Sequence, residues 1–246
     1  KRDGDRLGFP VFPLEWHNSD TEEVFSGYRE KGYFPEAFVN MLAFLGWNPG
    51  TEQELFSLEE LTAAFSLERV NKAGARYDHD KTRWFNQQYL RAKDSSALAQ
   101  LLLQDVEVAG LSASLDKCGQ VASIMKERAF FVHDMLTEGR YLFEAPTEFD
   151  EKTLSKKWNA DAKKHVQNLV ALFGALSTFD AASLEETFKA YLQEKEVGFG
   201  KVGPGFRLAV TGQGMGPSMF DICAILGKEE TLARMNHALN TLPVNG

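Results

Sequence analysis

From residue 96 onward, apolar side chains recur three and four positions apart in one stretch after another, a spacing that fits the buried face of a helix and not the pleat of a strand. The stretches cover residues 96–104, 116–125, 132–143, 153–176, 183–195, 217–227 and 229–240. Within "SLEETFKAYLQE" (183–194), Leu184, Phe188 and Tyr191 make one stripe, and Ser183 followed by Glu186 reads as a capping box. Strand signals are confined to the start of the chain and to "FRLAV" (206–210). The expected fold is therefore mostly α: a small mixed α/β region up to about residue 95, then all-helical structure, with "EAPTEFDEKT" (144–153) as a Pro- and charge-rich link between two helical sets, 96–148 and 149–246.

The first 95 residues carry their own punctuation. "FPEAFVNMLAFLG" (34–46) places Pro35 in a first helical turn, Phe38, Leu42 and Leu45 on an apolar side, and Gly46 as the stop. Ser57 and Glu60 form a second capping box, and Asp78 caps a helix over 78–93 with Trp84, Phe85 and Leu90 as its apolar side. No apolar run approaches the roughly 20 residues of a membrane span, since "AQLLLQDVEVAGL" is broken by Gln104, Asp105 and Glu107. Cys118 and Cys223 lie far apart without metal-ligand spacing, so two buried thiols in a reducing compartment are expected, with no disulfide. The five histidines, His17, His79, His133, His165 and His237, show no paired spacing, so no metal site is expected.

A net charge of −8 argues against a polyanionic partner when taken over the whole chain. Local distribution reverses that at two places. Between Arg69 and Lys93 lie seven basic residues (Arg69, Lys72, Arg76, Lys81, Arg83, Arg91, Lys93) against Asp78 and Asp80, interleaved with Tyr77, Trp84, Phe85 and Tyr89. That mixture suits an RNA backbone and its exposed bases, or else a helix with core aromatics and solubilising cations. "KTLSKKWNADAKKH" (152–165) holds Lys152, Lys156, Lys157, Lys163 and Lys164 against Asp161, and reads either as a solvated helix face or as phosphate contacts. The turn "GQGMGP" (212–217) matches neither nucleotide-binding glycine signature: it has no lysine, and Pro217 lacks a backbone donor. A rigid corner that aims Arg207 is the better reading, with Pro217 in the first turn of the next helix and Gly227 ending it.

Four blocks in order, "GYREKGYFPEAFVNMLAFLGWNPG", "FSLEELTAAFSLERVNKAGARYDHDKTRWFNQQYL", "KERAFFVHDMLTEGRYLFE" and "RLAVTGQGMGPSMFDICAILGKEETLARM", resemble the C-terminal half of bacterial glutamyl-tRNA synthetases. The similarity runs over nearly the whole chain. Members of that family are class I enzymes that use ATP to join glutamate to its tRNA, and their nucleotide-binding histidine motif has no counterpart here. Lys1 and Arg2 look like the last two residues of the family's ATP-binding loop signature, with Lys1 matching the ATP-contacting lysine.

The resemblance implies a stem-contact region (1–95) and two helical anticodon-binding subdomains (96–148 and 149–246) of a cytoplasmic, monomeric tRNA(Glu)-binding protein without DNA or membrane partners. ATP and glutamate would be substrates of the full-length enzyme, with no catalytic residue and no bound cofactor in this portion. It further implies anticodon contacts from Arg207, Arg128 and the backbone of Gly216, and stem-backbone contacts from Arg76, Lys81 and Arg83; Lys163 and Lys164 are added as backbone contacts. One departure is "LGFPVFPLEWHNSDTEEVFS" (7–26), where most bacterial members have a short link. A helical protein-interaction module with no RNA role is the alternative.

Overall fold

The computed structural model of the chain describes residues 9–72 and 74–244. Among the described residues are twelve α-helices, two short 3-10 turns, and one antiparallel hairpin pairing β1 (Trp16–His17) with β2 (Val24–Phe25). The helices are α1 (Pro35–Phe44), α2 (Leu58–Ala64), α3 (His79–Ala92), α4 (Ser95–Val108), α5 (Leu115–Met125), α6 (Val132–Glu138), α7 (Glu151–Lys157), α8 (Ala160–Ala175), α9 (Ala181–Glu194), α10 (Phe199–Thr211), α11 (Met219–Leu226) and α12 (Lys228–Thr241). The mostly helical expectation holds, and among the described residues the strands lie near the start.

Capping chemistry sets most of the helix starts. Ser57 and Glu60 close a full capping box, Pro35 occupies the opening of α1, and Asp78 accepts from the Lys81 amide. Three expectations shift. Helix α9 is capped by Asp180, whose carboxylate accepts from the Ser183 amide, so Ser183 lies inside the first turn and not at the cap. The 153–176 stretch divides: Trp158 turns into the core and Asn159 caps a new helix by accepting from Ala162. Pro217 stands just outside α11, and Ser218 is the cap.

"FRLAV" is helical, not a strand. It forms the last turns of α10, where Val202, Phe206, Leu208, Ala209 and Val210 are buried. Gly203, Pro204 and Gly205 conceal the helical signal locally, and Pro204 forfeits one internal bond. Burial on three neighbours, α7, α8 and α12, overrides the weak propensity. On α1 the buried residues are Ala37, Asn40 and Met41, while Leu42 is exposed. Asn40 is buried with both ends of its amide paired: it donates to Glu54 O and accepts from the Phe56 amide and the Tyr89 hydroxyl.

One continuous core runs from Phe34 and Leu90 through Leu102, Met125 and Leu142 to Phe173, Phe206, Ile222 and Ala238. Each fully buried leucine or phenylalanine in it stabilises by about 1.5–3 kcal/mol. Two smaller clusters, one around Tyr28, Met41 and Phe85 and one around Trp47 and Phe56, serve the first region. Asn86 on α3 joins that region to the next: it accepts from the Phe34 amide at 2.8 Å and donates to Phe130 O at 2.7 Å.

Candidate nucleic-acid interface

Helix α10 delivers Arg207 to a corner that is clamped from behind. Gly212 ends the helix in the left-handed region (φ +71°), and any side chain there would collide with Glu148 O and Pro146. The Asp150 amide donates to Gly212 O at 2.7 Å, so the 146–150 link holds the corner in place. Arg207 then donates through Nη2 to Pro217 O at 2.8 Å.

Arg128 reaches the same corner from the end of α5 and donates through Nη2 to Gly216 O at 3.0 Å, across a sequence separation of 88 residues. A methyl group at Gly216 would stand 2.9 Å from Arg207 Nη1 and 3.2 Å from the Tyr141 hydroxyl. Arg128, Arg207, Gly216 and Tyr141 are thus one cluster, three of whose members the sequence reading had assigned to a single task.

The electrostatics of the cluster are unbalanced. Among the described residues no ion pair includes Arg128 or Arg207, and Asp221 does not pair with Arg207. Burial pulls the Arg207 guanidinium below its ordinary value, the neighbouring Arg128 charge adds to that, and Tyr141 opposes it. Burial likewise pushes the Tyr141 phenol up, so it stays an O–H donor at neutral pH. Arg207 Nη1 is buried and makes no hydrogen bond. Leaving such a donor unmatched costs about 1–3 kcal/mol. Two guanidinium groups and a phenol, with no carboxylate paired to either guanidinium, suit the acceptor-rich edge of an unpaired base or a phosphate.

Two family models match the sequence: the anticodon binding domain over residues 86–239, and the catalytic domain of class I tRNA synthetases (E and Q) over residues 19–84. The glutamate–tRNA ligase of Phocaeicola vulgatus is 47% identical over 98% of this chain and 48% of its own length. That of Christiangramia forsetii is 45% identical over the same shares. The chain belongs to the glutamate–tRNA ligase family. It corresponds to the C-terminal half of these proteins and spans about half the length of the curated relatives it matches. A crystal structure of a glutamate tRNA ligase from Elizabethkingia meningosepticum, in complex with its amino acid, superposes with a TM-score of 0.93 at 40% identity, covering 98% of this chain and 48% of that one.

The other sequence-assigned residues are dispersed. Lys1 lies outside the described residues. Arg76 is exposed and shares a shallow recess with Asp78 and Lys81 at the start of α3. Lys81 pairs with Glu54 at 2.7 Å, and the Arg83 guanidinium lies 4.3 Å over the Phe130 ring. The island's aromatic residues belong to the packing: Phe85 is buried, Tyr77 bonds Tyr28, and Tyr89 bonds Asn40 and Phe56 O. Lys163 and Lys164 are the fourth and fifth residues of α8 and form no hydrogen bond or ion pair with the corner among the described residues. Among the described residues no group of histidines, cysteines and carboxylates could hold a metal ion, and no helix is long and apolar enough to cross a membrane. Tyr141 had no sequence signal, because its place at the corner depends on contacts across the whole helical assembly.

Proposed function

We propose that this chain is the tRNA-binding portion of a glutamate–tRNA ligase, which joins glutamate to its tRNA using ATP. Arg128, Arg207 and Tyr141 would receive an anticodon base of tRNA(Glu) at the Gly216 corner. The observation that carries this reading is the convergence of Arg128 and Arg207 on adjacent carbonyls of one loop, neither guanidinium having an ion-pair partner among the described residues. A helical protein-interaction module would have no use for paired, uncompensated guanidinium groups at a rigid corner. The fork of arginine serves a base edge, where it donates two parallel hydrogen bonds.

In this reading residues 1–95 face the acceptor-side stem, with Arg76, Lys81 and Arg83 toward phosphates, while 96–148 and 149–246 are the two anticodon-binding subdomains. Lys163 and Lys164 add backbone contacts. Lys1 would touch ATP only in the full-length enzyme, a cytoplasmic monomer acting on ATP and glutamate. Neither DNA nor a membrane is a partner.

The test is aminoacylation of wild-type and anticodon-substituted tRNA(Glu) by the full-length enzyme and its Arg207→Ala variant. Discrimination should fall by about 1–3 kcal/mol, the worth of a base-specific contact, while glutamate activation is spared. A variant that keeps its melting temperature and still rejects the substituted tRNA as strongly as the parent would remove Arg207 from the reading.

A further inference from the structure

The loop that receives Arg128 and Arg207 on one side has a second side, which faces α7. There Gln213, Gly214 and Met215 border a depression of about 460 Å³ whose opposite wall is Lys152, Lys156 and Lys157 of α7. Helical spacing puts Lys152 and Lys156 one turn apart on the same face. All three lysines are exposed, and none takes part in an ion pair among the described residues. The one carboxylate at the edge, Asp150, is already engaged as the acceptor of the Thr153 amide. The depression therefore carries three cations against one carboxylate, Asp150, whose charge acts on Lys152, in a chain whose net charge is −8.

The loop's path depends on glycine. A side chain at Gly214 would collide with the Thr153 hydroxyl, so the backbone lies flush against the first turn of α7. Met215 follows at the tip, 85% exposed. A thioether held out beside a row of ammonium groups makes a surface on which a base can lie while the adjoining phosphates meet the lysines.

We propose that Lys152, Lys156 and Lys157 form a phosphate track for the same RNA strand whose base enters the Arg128–Arg207 corner, and that Met215 packs against the neighbouring base. The inference rests on the tRNA-binding reading above and adds a site to it. A single strand crossing the loop would place a base on the arginine side and its backbone on the lysine side, both held by six residues of clamped chain. Phosphate is the shared chemistry, and a continuous RNA strand is the source.

The test uses this chain and a labelled RNA hairpin carrying the glutamate anticodon loop, titrated by fluorescence anisotropy across a range of salt. Replacing all three lysines (Lys152→Gln, Lys156→Gln, Lys157→Gln) should leave the thermal melt unchanged and reduce the salt slope by about 2, at roughly 0.7 per phosphate lost on a single strand. The loss should be equal for hairpins of any anticodon, and the corresponding Lys→Arg variant should restore it. Met215→Ser should weaken binding about tenfold without changing the slope. At constant ionic strength, inorganic phosphate should displace no more hairpin than chloride does. An unchanged slope in the triple variant, beside intact wild-type binding, would overturn the track and leave the Arg207 reading standing. Displacement by millimolar inorganic phosphate would make it a free-anion site instead. If the wild-type chain shows no salt-dependent binding, the tRNA-binding reading falls first and this one with it.

Discussion

Gly216 is where a single methyl group would tell most about the corner. Its φ of +156° is one that side chains rarely adopt, and the space beside its Cα is taken by Arg207 and the Tyr141 hydroxyl. Gly216→Ala should cost about 1–3 kcal/mol through backbone strain, which for a chain of this size lowers the melting temperature by about 5 °C. Because the methyl group pushes on Arg207 Nη1, the same variant should also lose discrimination between RNA hairpins with matched and substituted anticodon loops. A melt paired with anisotropy checks both, and a variant that loses stability but keeps discrimination would show that Arg207 tolerates the displacement. The sequence reading treated Gly216 as a backbone ligand to RNA. In the structure its carbonyl is held by Arg128, so an incoming base must compete with that bond or use the donors left over.

At the scale of the element, the helix caps make stability depend on acid. Asp180 accepts from the Ser183 amide at the head of α9, and this bond holds its carboxyl below the ordinary aspartate value; Asp150 does the same for α7 through Thr153. The sign follows directly. A carboxylate whose folded value is depressed stabilises above its unfolded value of about 3.9, and that stabilisation disappears as pH falls through the folded value. Asp180→Ala should therefore lower the urea midpoint at pH 7 and lower it by less at pH 2, because the wild-type carboxyl loses its charge as pH falls through its depressed value. Midpoints measured at both pH values check this; an equal gap at both would mean that the cap acts without its charge. The α7 cap has a further consequence, since the Asp150 amide also holds Gly212 and so ties the start of α7 to the end of α10.

Across the whole molecule, Arg234 on α12 is a tie between Tyr141 and the end of α10. Its side chain is only 4% exposed. It donates to Tyr141 O at 2.6 Å and Val210 O at 3.2 Å, with Glu230 at 2.7 Å as its carboxylate partner. Tyr141 carries the hydroxyl that faces the corner, and Val210 lies one turn beyond Arg207, so one buried guanidinium positions both flanks of the candidate site. Arg234→Met keeps the length of the side chain and removes the donors, leaving buried carbonyls without them. The expected cost is about 2–4 kcal/mol, or a melting temperature lower by about 10 °C, with a uniform loss of RNA affinity rather than altered anticodon preference. A thermal melt and hairpin binding against two loop sequences decide between those outcomes.

What the sequence by itself determined is local. Capping residues such as Ser57 and Asp78, the punctuation by Pro35 and Gly227, and the stripe of Leu184, Phe188 and Tyr191 act within a few residues along one helix, so they can be read without neighbours. The family blocks added the candidates Arg128, Arg207 and Gly216. Tertiary structure decided everything that depends on which helix lies beside which. It made 199–211 a helix despite Gly203, Pro204 and Gly205, because burial on three sides outweighs propensity. It placed most of the island's aromatics in the packing, turned Trp158 inward to split a helix, and set Lys152, Lys156 and Lys157 against a loop some 60 residues away. The physical reason is one of range: a cap or a helical stripe is complete within one or two turns, whereas the corner exists only because α5, α10 and the 146–150 link meet in space. That meeting is fixed by a shared core running from Leu102 to Ala238, and no stretch of sequence encodes it alone.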